Sequence, residues 1–85
     1  MGAYEVFFKK SVWKDFKRIP KNDLHRILKF IESLSDAPRP TGSKKLSAQE
    51  KYRARLGNYR VIYSIQDEEV TVWVVKVGHR RDVYR

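Results

Sequence analysis

The spacing of apolar side chains changes once along this 85-residue chain, and the change limits the folds open to it. Before about residue 35, apolar residues recur every three or four positions, which is typical of amphipathic helices. From Tyr52 onward they alternate with polar residues, which indicates strands with one buried face. Because two cores do not fit in a chain of this length, a single α+β domain over residues 1–85 is predicted.

Two short helices are predicted after an N-terminal strand at Tyr4–Phe8, a short aromatic and β-branched run. The first helix is expected over about residues 12–18, because Pro20 cannot continue it. The second carries an apolar stripe that ends near Leu34. The expected caps are Ser11 for the first helix and Asn22 or Asp23 for the second.

A tight turn joins two strands in the second half of the chain. Gly57 and Asn58 separate the alternating runs 52–56 and 59–65, which is typical of a two-residue β-hairpin. A further strand is expected over 70–77, and the stretch after the helices is expected to be irregular to about residue 50. The predicted fold is an N-terminal strand, an antiparallel helical hairpin and a three-strand antiparallel meander, with the helices packed on one sheet face.

The register of this hairpin separates a core face from a basic face. The two-residue turn places Arg55 opposite Arg60, and strand alternation puts Arg53 on the same side. Two like charges directly opposite each other cost from a few tenths to about 1 kcal/mol unless an anion bridges them. The basic face is therefore predicted to bind an anion, since a guanidinium holds two phosphate oxygens at once.

The last strand and the tail are expected to extend the basic face. A two-residue turn at Asp67–Glu68 would place Arg60 opposite Val75. It would also place Ile62 opposite Trp73, which would then offer a surface for stacking on a base. His79 is read either as a proton donor or as a turn residue. The tail adds the candidates Arg80, Arg81 and Tyr84.

The charge balance indicates the class of partner. Nineteen lysines and arginines against ten acidic residues give a net charge of +9, which favours a polyanion such as nucleic acid. With no cysteine and two histidines, neither a disulfide nor a metal site is expected, and no cofactor is predicted. No apolar run is long enough for a membrane span or a secretory signal, so a cytoplasmic protein without a membrane partner is expected.

Two motifs stand out in the second half of the chain. The first is Y-R-x-R-L-x-x-Y-R-V-I-Y from Tyr52 to Tyr63, and the second is V-x-x-V-G-H-R-x-x-V-Y from Val74 to Tyr84. Together they resemble the RelE/ParE superfamily of toxins from type II toxin–antitoxin pairs. The order of one strand, two helices and three strands extends the resemblance over nearly the whole chain. It implies a RelE-like mRNA interferase, an endoribonuclease that cuts mRNA in the ribosomal A site and inhibits translation.

The resemblance also implies a set of site residues, since RelE-like toxins use a basic cluster with a C-terminal tyrosine. Arg53 and Arg55 stand where that branch commonly has lysines, and a guanidinium does not readily give up a proton. The identity of the general acid and base is therefore left open. The implied catalytic set is Arg53, Arg55, Arg60, Arg80 and Tyr84. Contacts with RNA and the ribosome are expected from Lys44, Lys45, Lys51, Trp73, His79 and Arg81.

The implied partners are the ribosome with its rRNA, mRNA, and an acidic RelB-like antitoxin that masks the basic face. The free toxin is expected to be a monomer, and the toxin with its antitoxin a hetero-oligomer. Two alternatives stand beside this interpretation. A ParE-like inhibitor of DNA gyrase would not need Arg60, Arg80 or Tyr84 for toxicity. A non-catalytic basic RNA-binding module would bind RNA and leave it uncut.

Overall fold

The described residues, 3–46 and 51–81, form two helices and a five-stranded sheet in this computed structural model. In chain order the elements are β1 (Glu5–Phe8), α1 (Lys10–Lys17), α2 (Lys21–Ser33), β2 (Lys44–Lys45), β3 (Lys51–Leu56), β4 (Tyr59–Gln66) and β5 (Thr71–His79). The strand order across the sheet is β1-β5-β4-β3-β2. The predicted α+β fold is confirmed, with its N-terminal strand, two helices and an antiparallel meander of β3, β4 and β5.

The hairpin of β3 and β4 has the predicted register. Leu56 lies opposite Tyr59 and Arg55 lies opposite Arg60, on either side of the Gly57–Asn58 turn. Gly57 has a φ of +62°, in the left-handed region that only glycine adopts without strain. The turn dipeptide therefore determines which side chains of both strands face the core.

Two strand pairings were not predicted. β1 pairs in parallel with β5, with Phe7 opposite Trp73, and the helices make the crossover that a parallel pair requires. The two-residue β2 pairs with β3 and places Lys44 opposite Arg53. The expectation of an irregular stretch to about residue 50 is therefore wrong at Lys44–Lys45, and residues 47–50 lie outside the described part of the chain.

The register of β5 on β4 differs from the prediction. Gln66 lies opposite Thr71, so four residues form the connection and the two-residue turn at Asp67–Glu68 is wrong. Val70 closes this connection with a φ of +52° and donates its N–H to the Asp67 carbonyl at 3.1 Å. A bulge between Ile62 and Tyr63 then shifts the pairing by one more residue.

The first helix begins before its predicted cap. Lys9 is still held in the sheet by its N–H, which donates to the Val74 carbonyl at 2.9 Å. Its carbonyl accepts the N–H of Val12 at 2.9 Å, so α1 begins at Lys10 directly after the strand. The predicted cap Ser11 therefore lies inside the first turn and caps nothing.

The second helix also begins early, at Lys21. Pro20 is its N-cap residue, and the Pro20 carbonyl accepts the N–H of Leu24 at 2.8 Å. The predicted caps Asn22 and Asp23 are therefore wrong, and both lie in the first turn. Asp23 still suits that place, because a carboxylate interacts favourably with the N-terminal end of the helix dipole.

One face of the sheet carries the core. The helices contribute buried residues that pack with buried residues of β4 and β5. The members that are almost fully buried are Val12, Ile27, Ile31 and Leu34 from the helices and Val61, Tyr63, Val72, Val74 and Val77 from the strands. The arginines of β3 and β4 lie on the opposite face, as predicted. Within the described residues, neither helix is long and apolar enough to cross a membrane.

The loop after α2 is fastened to the sheet by side chains. The Tyr63 hydroxyl donates to the Pro38 carbonyl at 3.0 Å, and Arg39 Nε donates to the Tyr52 hydroxyl at 2.9 Å. Arg39 also forms an ion pair with Asp67 at 2.8 Å. The hydrogen bonds from Arg39 and then Tyr4 hold the pKa of Asp67 below its ordinary value. These contacts explain why the β4–β5 connection is longer than its sequence suggests.

Candidate functional site

Three arginines form the basic face that the sequence predicts, on the side of the sheet away from the helices. Arg55 is exposed, whereas Arg53 and Arg60 are half-buried and the Nε atom of Arg60 is buried. Ile62 lies on the same face with only 7% exposure, so the middle of this face is closely packed. Half-buried guanidinium groups are less screened by water than exposed ones, which strengthens their pull on an anion.

Arg55 and Arg60 lie directly opposite each other on this face. Leu56 and Tyr59, which flank the two-residue turn, form the hydrogen-bonded pair, so Arg55 and Arg60 occupy the next, non-hydrogen-bonded position. Side chains at such positions approach more closely than at hydrogen-bonded ones. The hairpin thus holds two positive charges side by side by its backbone geometry.

Lysines of β2 and β3 extend this positive face toward the sheet edge. Lys44 is exposed and lies opposite Arg53, and Lys51 alternates onto the same side as Arg53 and Arg55. Lys45 is opposite Tyr52, which is a core residue, so Lys45 lies on the other side of β2. The basic face therefore includes Lys44 and Lys51 and does not include Lys45.

Trp73 lies on the predicted face with a different neighbour. It is opposite Ser64, so the predicted pairing with Ile62 is wrong, as is the pairing of Arg60 with Val75. The indole ring stacks on Phe7 of β1 with ring centroids 5.0 Å apart, and it is 40% exposed. Phe7 and Trp73 thus form an aromatic surface on the same face of the sheet as the arginines, four residues along β4 from Arg60 at the level of Ser64, and such surfaces stack well on nucleobases.

The end of β5 brings the tail residues to the Gly57–Asn58 turn. His79 lies opposite Tyr59 and their rings meet edge to face at 5.6 Å, on the side of the sheet that carries the core. The backbone N–H of Arg80 donates to the Asn58 carbonyl at 2.8 Å, and that of Arg81 donates to His79 Nδ1 at 3.2 Å. The candidate Tyr84 lies outside the described residues.

A pocket of about 490 Å³ lies at this end of β5, and the sequence interpretation missed it. Its polar lining comes from Asp15, Arg18, Tyr59, Lys76, His79 and Arg81. The sequence pattern assigns no role to Asp15 or Arg18. The one hint in the sequence is Lys76, the single charged residue in the apolar run 70–77. The wrong register of β5 hid its position beside α1.

The chemistry of these groups is that of an anion site. Among residues 3–46 and 51–81, no group of three or more His, Asp or Glu side chains is placed to hold a metal ion. Guanidinium and ammonium groups bind phosphate oxygens through charge-assisted hydrogen bonds and remain charged while doing so. The arrangement can therefore hold a phosphodiester and stabilise negative charge that develops on it.

Comparisons with known proteins identify the family and the fold of this chain. The family described as ParE toxin of the type II toxin–antitoxin system parDE matches residues 6–84. Toxin RelG of Mycobacterium tuberculosis is 33% identical over 84 residues, which cover 96% of this chain and 97% of RelG. The mRNA interferase toxin RelE of Escherichia coli K12 is 26% identical over 80 residues, which cover 92% of this chain and 84% of RelE. A chain of the crystallised archaeal RelE–RelB complex of Pyrococcus horikoshii OT3 superimposes with a TM-score of 0.84 at 33% identity, over 95% of this chain and 99% of that one.

Proposed function

This chain belongs to the ParE toxin family of type II toxin–antitoxin systems, and on that premise we propose that it is a ribosome-dependent endoribonuclease that cuts mRNA in the A site. Its relatives include RelE mRNA interferases, which supports a nuclease. The observation that carries the proposal is the pair Arg55 and Arg60, held side by side on an open face of the hairpin. Two like charges at directly opposite positions repel each other, and one bound phosphate can contact both.

The proposed reaction is an internal transfer at a phosphodiester. The 2′-oxygen of a ribose attacks the adjacent phosphorus while the bond from phosphorus to the 5′-oxygen breaks. The products are a cyclic phosphate and a free 5′-hydroxyl, with one proton leaving the 2′-hydroxyl and one reaching the departing 5′-oxygen. Negative charge grows on the non-bridging oxygens, and fixed cations aimed there stabilise the transition state by several kcal/mol, about 3 for each removed donor.

We propose separate roles for the arginines. Arg60 and Arg80 hold the scissile phosphate, and Arg53 or Arg55 neutralises the transition state or the leaving oxygen. Tyr84 either stacks on a base or takes the 2′ proton, since arginine does not serve as a base. The half-buried position of Arg60 supports the first role, because a partly desolvated cation interacts more strongly with phosphate.

The proposed partners follow from charge. RNA that is held by the arginines can also contact Lys44, Lys51 and the aromatic pair of Phe7 and Trp73, which lie on the same face of the sheet. The ribosome supplies the in-line geometry that this small protein does not impose by itself. A RelB-like antitoxin, as in the RelE–RelB complex of Pyrococcus horikoshii, would neutralise the basic face until it is removed. This protein would then act in the cytoplasm, where its ribosomes are.

The proposal is tested in a purified translation system with a reporter mRNA, with new 5′ ends mapped by primer extension. We expect cuts only in ribosome-bound message, at a fixed place within the A-site codon. Arg60→Gln and Arg80→Gln are expected to slow single-turnover cleavage by about 10²- to 10³-fold each. Tyr84→Phe should slow cleavage by far more than it changes ribosome affinity.

The matched control is Lys29→Gln, which removes one positive charge from the exposed side of α2, away from the sheet. Its cleavage rate is expected to equal that of the wild type. If the folded wild-type protein leaves the ribosome-bound message uncut, the proposed nuclease activity is rejected. Equal cleavage rates for the wild type and Tyr84→Phe would exclude a chemical role for Tyr84 and leave the rest of the proposal standing.

Inhibition of DNA gyrase is the second candidate, because the matching family is described as ParE toxin. A gyrase inhibitor would bind a protein target and would not need phosphodiester chemistry. Supercoiling by purified gyrase separates the two proposals. Inhibition by the wild type and equally by Arg60→Gln and Arg80→Gln, together with intact mRNA, would favour this second function.

A further inference from the structure

The pocket at the end of β5 and the basic face meet at one residue. Gly78 lines the pocket and lies directly opposite Arg60 in the sheet. Among the described strands, β1 pairs with β5 only as far as Val74, so β5 has no strand neighbour on that side at Gly78. An RNA strand that crosses Arg60 can therefore pass this free edge and enter the pocket without a side chain at position 78 in its way.

The pocket has an excess of positive charge. Three cationic side chains, Arg18, Lys76 and Arg81, line it together with one carboxylate, that of Asp15. Among residues 3–46 and 51–81, neither Arg18 nor Arg81 forms an ion pair with a carboxylate. Two guanidinium groups that line the pocket are thus available to an anion.

Asp15 is the specific feature of the pocket. Its side chain is only 17% exposed, and its Oδ2 accepts the N–H of Val77 at 3.2 Å. This bond satisfies a strand N–H that β1 does not reach. Oδ1 lies 3.9 Å from Lys76 Nζ, beyond hydrogen-bonding distance, and so keeps its acceptor capacity toward the pocket. The rings of Tyr59 and His79 form an aromatic wall nearby.

We propose that this pocket binds one nucleotide of the RNA, beside the nucleotide held by the basic face, with Arg18 and Arg81 on its phosphate and Asp15 on an amino group of its base. The inference rests on the proposed nuclease function, since it assigns the pocket to the same RNA. The volume suits one nucleotide, because pockets for small ligands begin at about 300 Å³. A carboxylate accepts from the N4 amino group of cytosine and repels O4 of uracil. The pocket therefore selects cytosine over uracil.

The test uses the whole ¹⁵N-labelled protein and titrates CMP and UMP as probes, following the backbone amides of Val77, Gly78 and Arg81 by NMR. We expect both probes to shift these amides, with CMP binding about tenfold more tightly, the value of one charge-assisted hydrogen bond. Asp15→Asn keeps an oxygen for the N–H of Val77 and should abolish the preference. Arg18→Gln should weaken the binding of CMP and of UMP about equally.

Lys29→Gln is the matched control for lost charge and is expected to leave both affinities unchanged. Equal affinities for CMP and UMP in the wild type, or a cytosine preference that survives Asp15→Asn, would overturn the inference. So would shifts confined to Arg53, Arg55 and Arg60. Because this titration needs no ribosome, a protein that cuts mRNA on ribosomes and leaves the pocket amides unshifted would refute the nucleotide pocket and keep the nuclease. Cytosine-selective shifts of the pocket amides without any cleavage on ribosomes would support the nucleotide pocket and refute the nuclease.

Discussion

Replacing Arg55 by glutamine should make the free protein more stable. Arg55 and Arg60 occupy a non-hydrogen-bonded pair of the hairpin, where opposite side chains are closest. Among the described residues, no carboxylate pairs with Arg55, so the variant loses no ion pair within that part of the chain. The substitution therefore removes a repulsion and keeps a polar side chain at an exposed site.

The size of the effect follows from the pairing. A like-charge cross-strand pair costs roughly 0.2 to 1 kcal/mol. A domain of this length has an unfolding entropy of about 0.18 kcal/mol/K, so the melting temperature should rise by about 1–6 °C at low salt. The gain should disappear near 1 M salt, where the Debye length falls to about 3 Å.

The assay is thermal unfolding of the wild type, Arg55→Gln and the control Lys29→Gln at about 10 mM and about 1 M salt. The control lowers the net charge by the same amount without relieving a cross-strand pair, so it should change the melting temperature less. A variant no more stable than the wild type at low salt, or a gain that persists at high salt, would refute the reasoning. The same variant should bind RNA more weakly, which would show that stability is given up for function at this site.

The remaining predictions concern the loop and the turn. Because Arg39 lowers the pKa of Asp67, this carboxylate stabilises the fold above its unfolded pKa, and the stabilisation is lost as pH falls through the folded pKa. The melting temperature of Arg39→Gln should therefore be lower than that of the wild type at neutral pH and approach it in acid, as measured by melting curves from about pH 7 to about pH 2. Tyr63→Phe removes the bond to the Pro38 carbonyl and should lower the free energy of unfolding in urea by about 1–3 kcal/mol. Gly57→Ala should lower it by about 1–2 kcal/mol, because alanine is strained at a φ of +62°. An unchanged urea midpoint in either variant would contradict these assignments.

Local chemistry made part of the fold predictable from the sequence. Gly57 and Asn58 specify a two-residue turn, so the register of β3 on β4 followed from nearest neighbours alone. The connection between β4 and β5 is decided by contacts from distant parts of the chain, where Tyr4 and Arg39 hold Asp67. The parallel pairing of β1 and the two-residue β2 have no local signal at all.

The candidate site also has one part that the sequence predicts and one part that it does not. The face shared by Arg53, Arg55 and Arg60 follows from alternation along one hairpin, and the structure confirms that placement. Their catalytic roles stay predictions. The pocket joins Asp15 of α1 to Lys76 of β5, and only the bulge and the early end of β1 bring these two together. Lys76 stands out as a charged residue in an apolar run, but no pattern within either segment shows that it lies near Asp15.

The parallel pairing of β1 with β5 gives synthesis of this toxin a fixed order. Glu5 emerges from the ribosome first, yet its partner Thr71 is among the last described residues to be made. The β3–β4 hairpin can close early, whereas β1 waits for a neighbour until β5 has left the exit tunnel. The core between the helices and β5 is completed only then, so these elements cannot pack together before β5 has been made. A nuclease proposed to act on ribosomes would in this way stay incompletely folded on the ribosome that makes it until β5 has emerged.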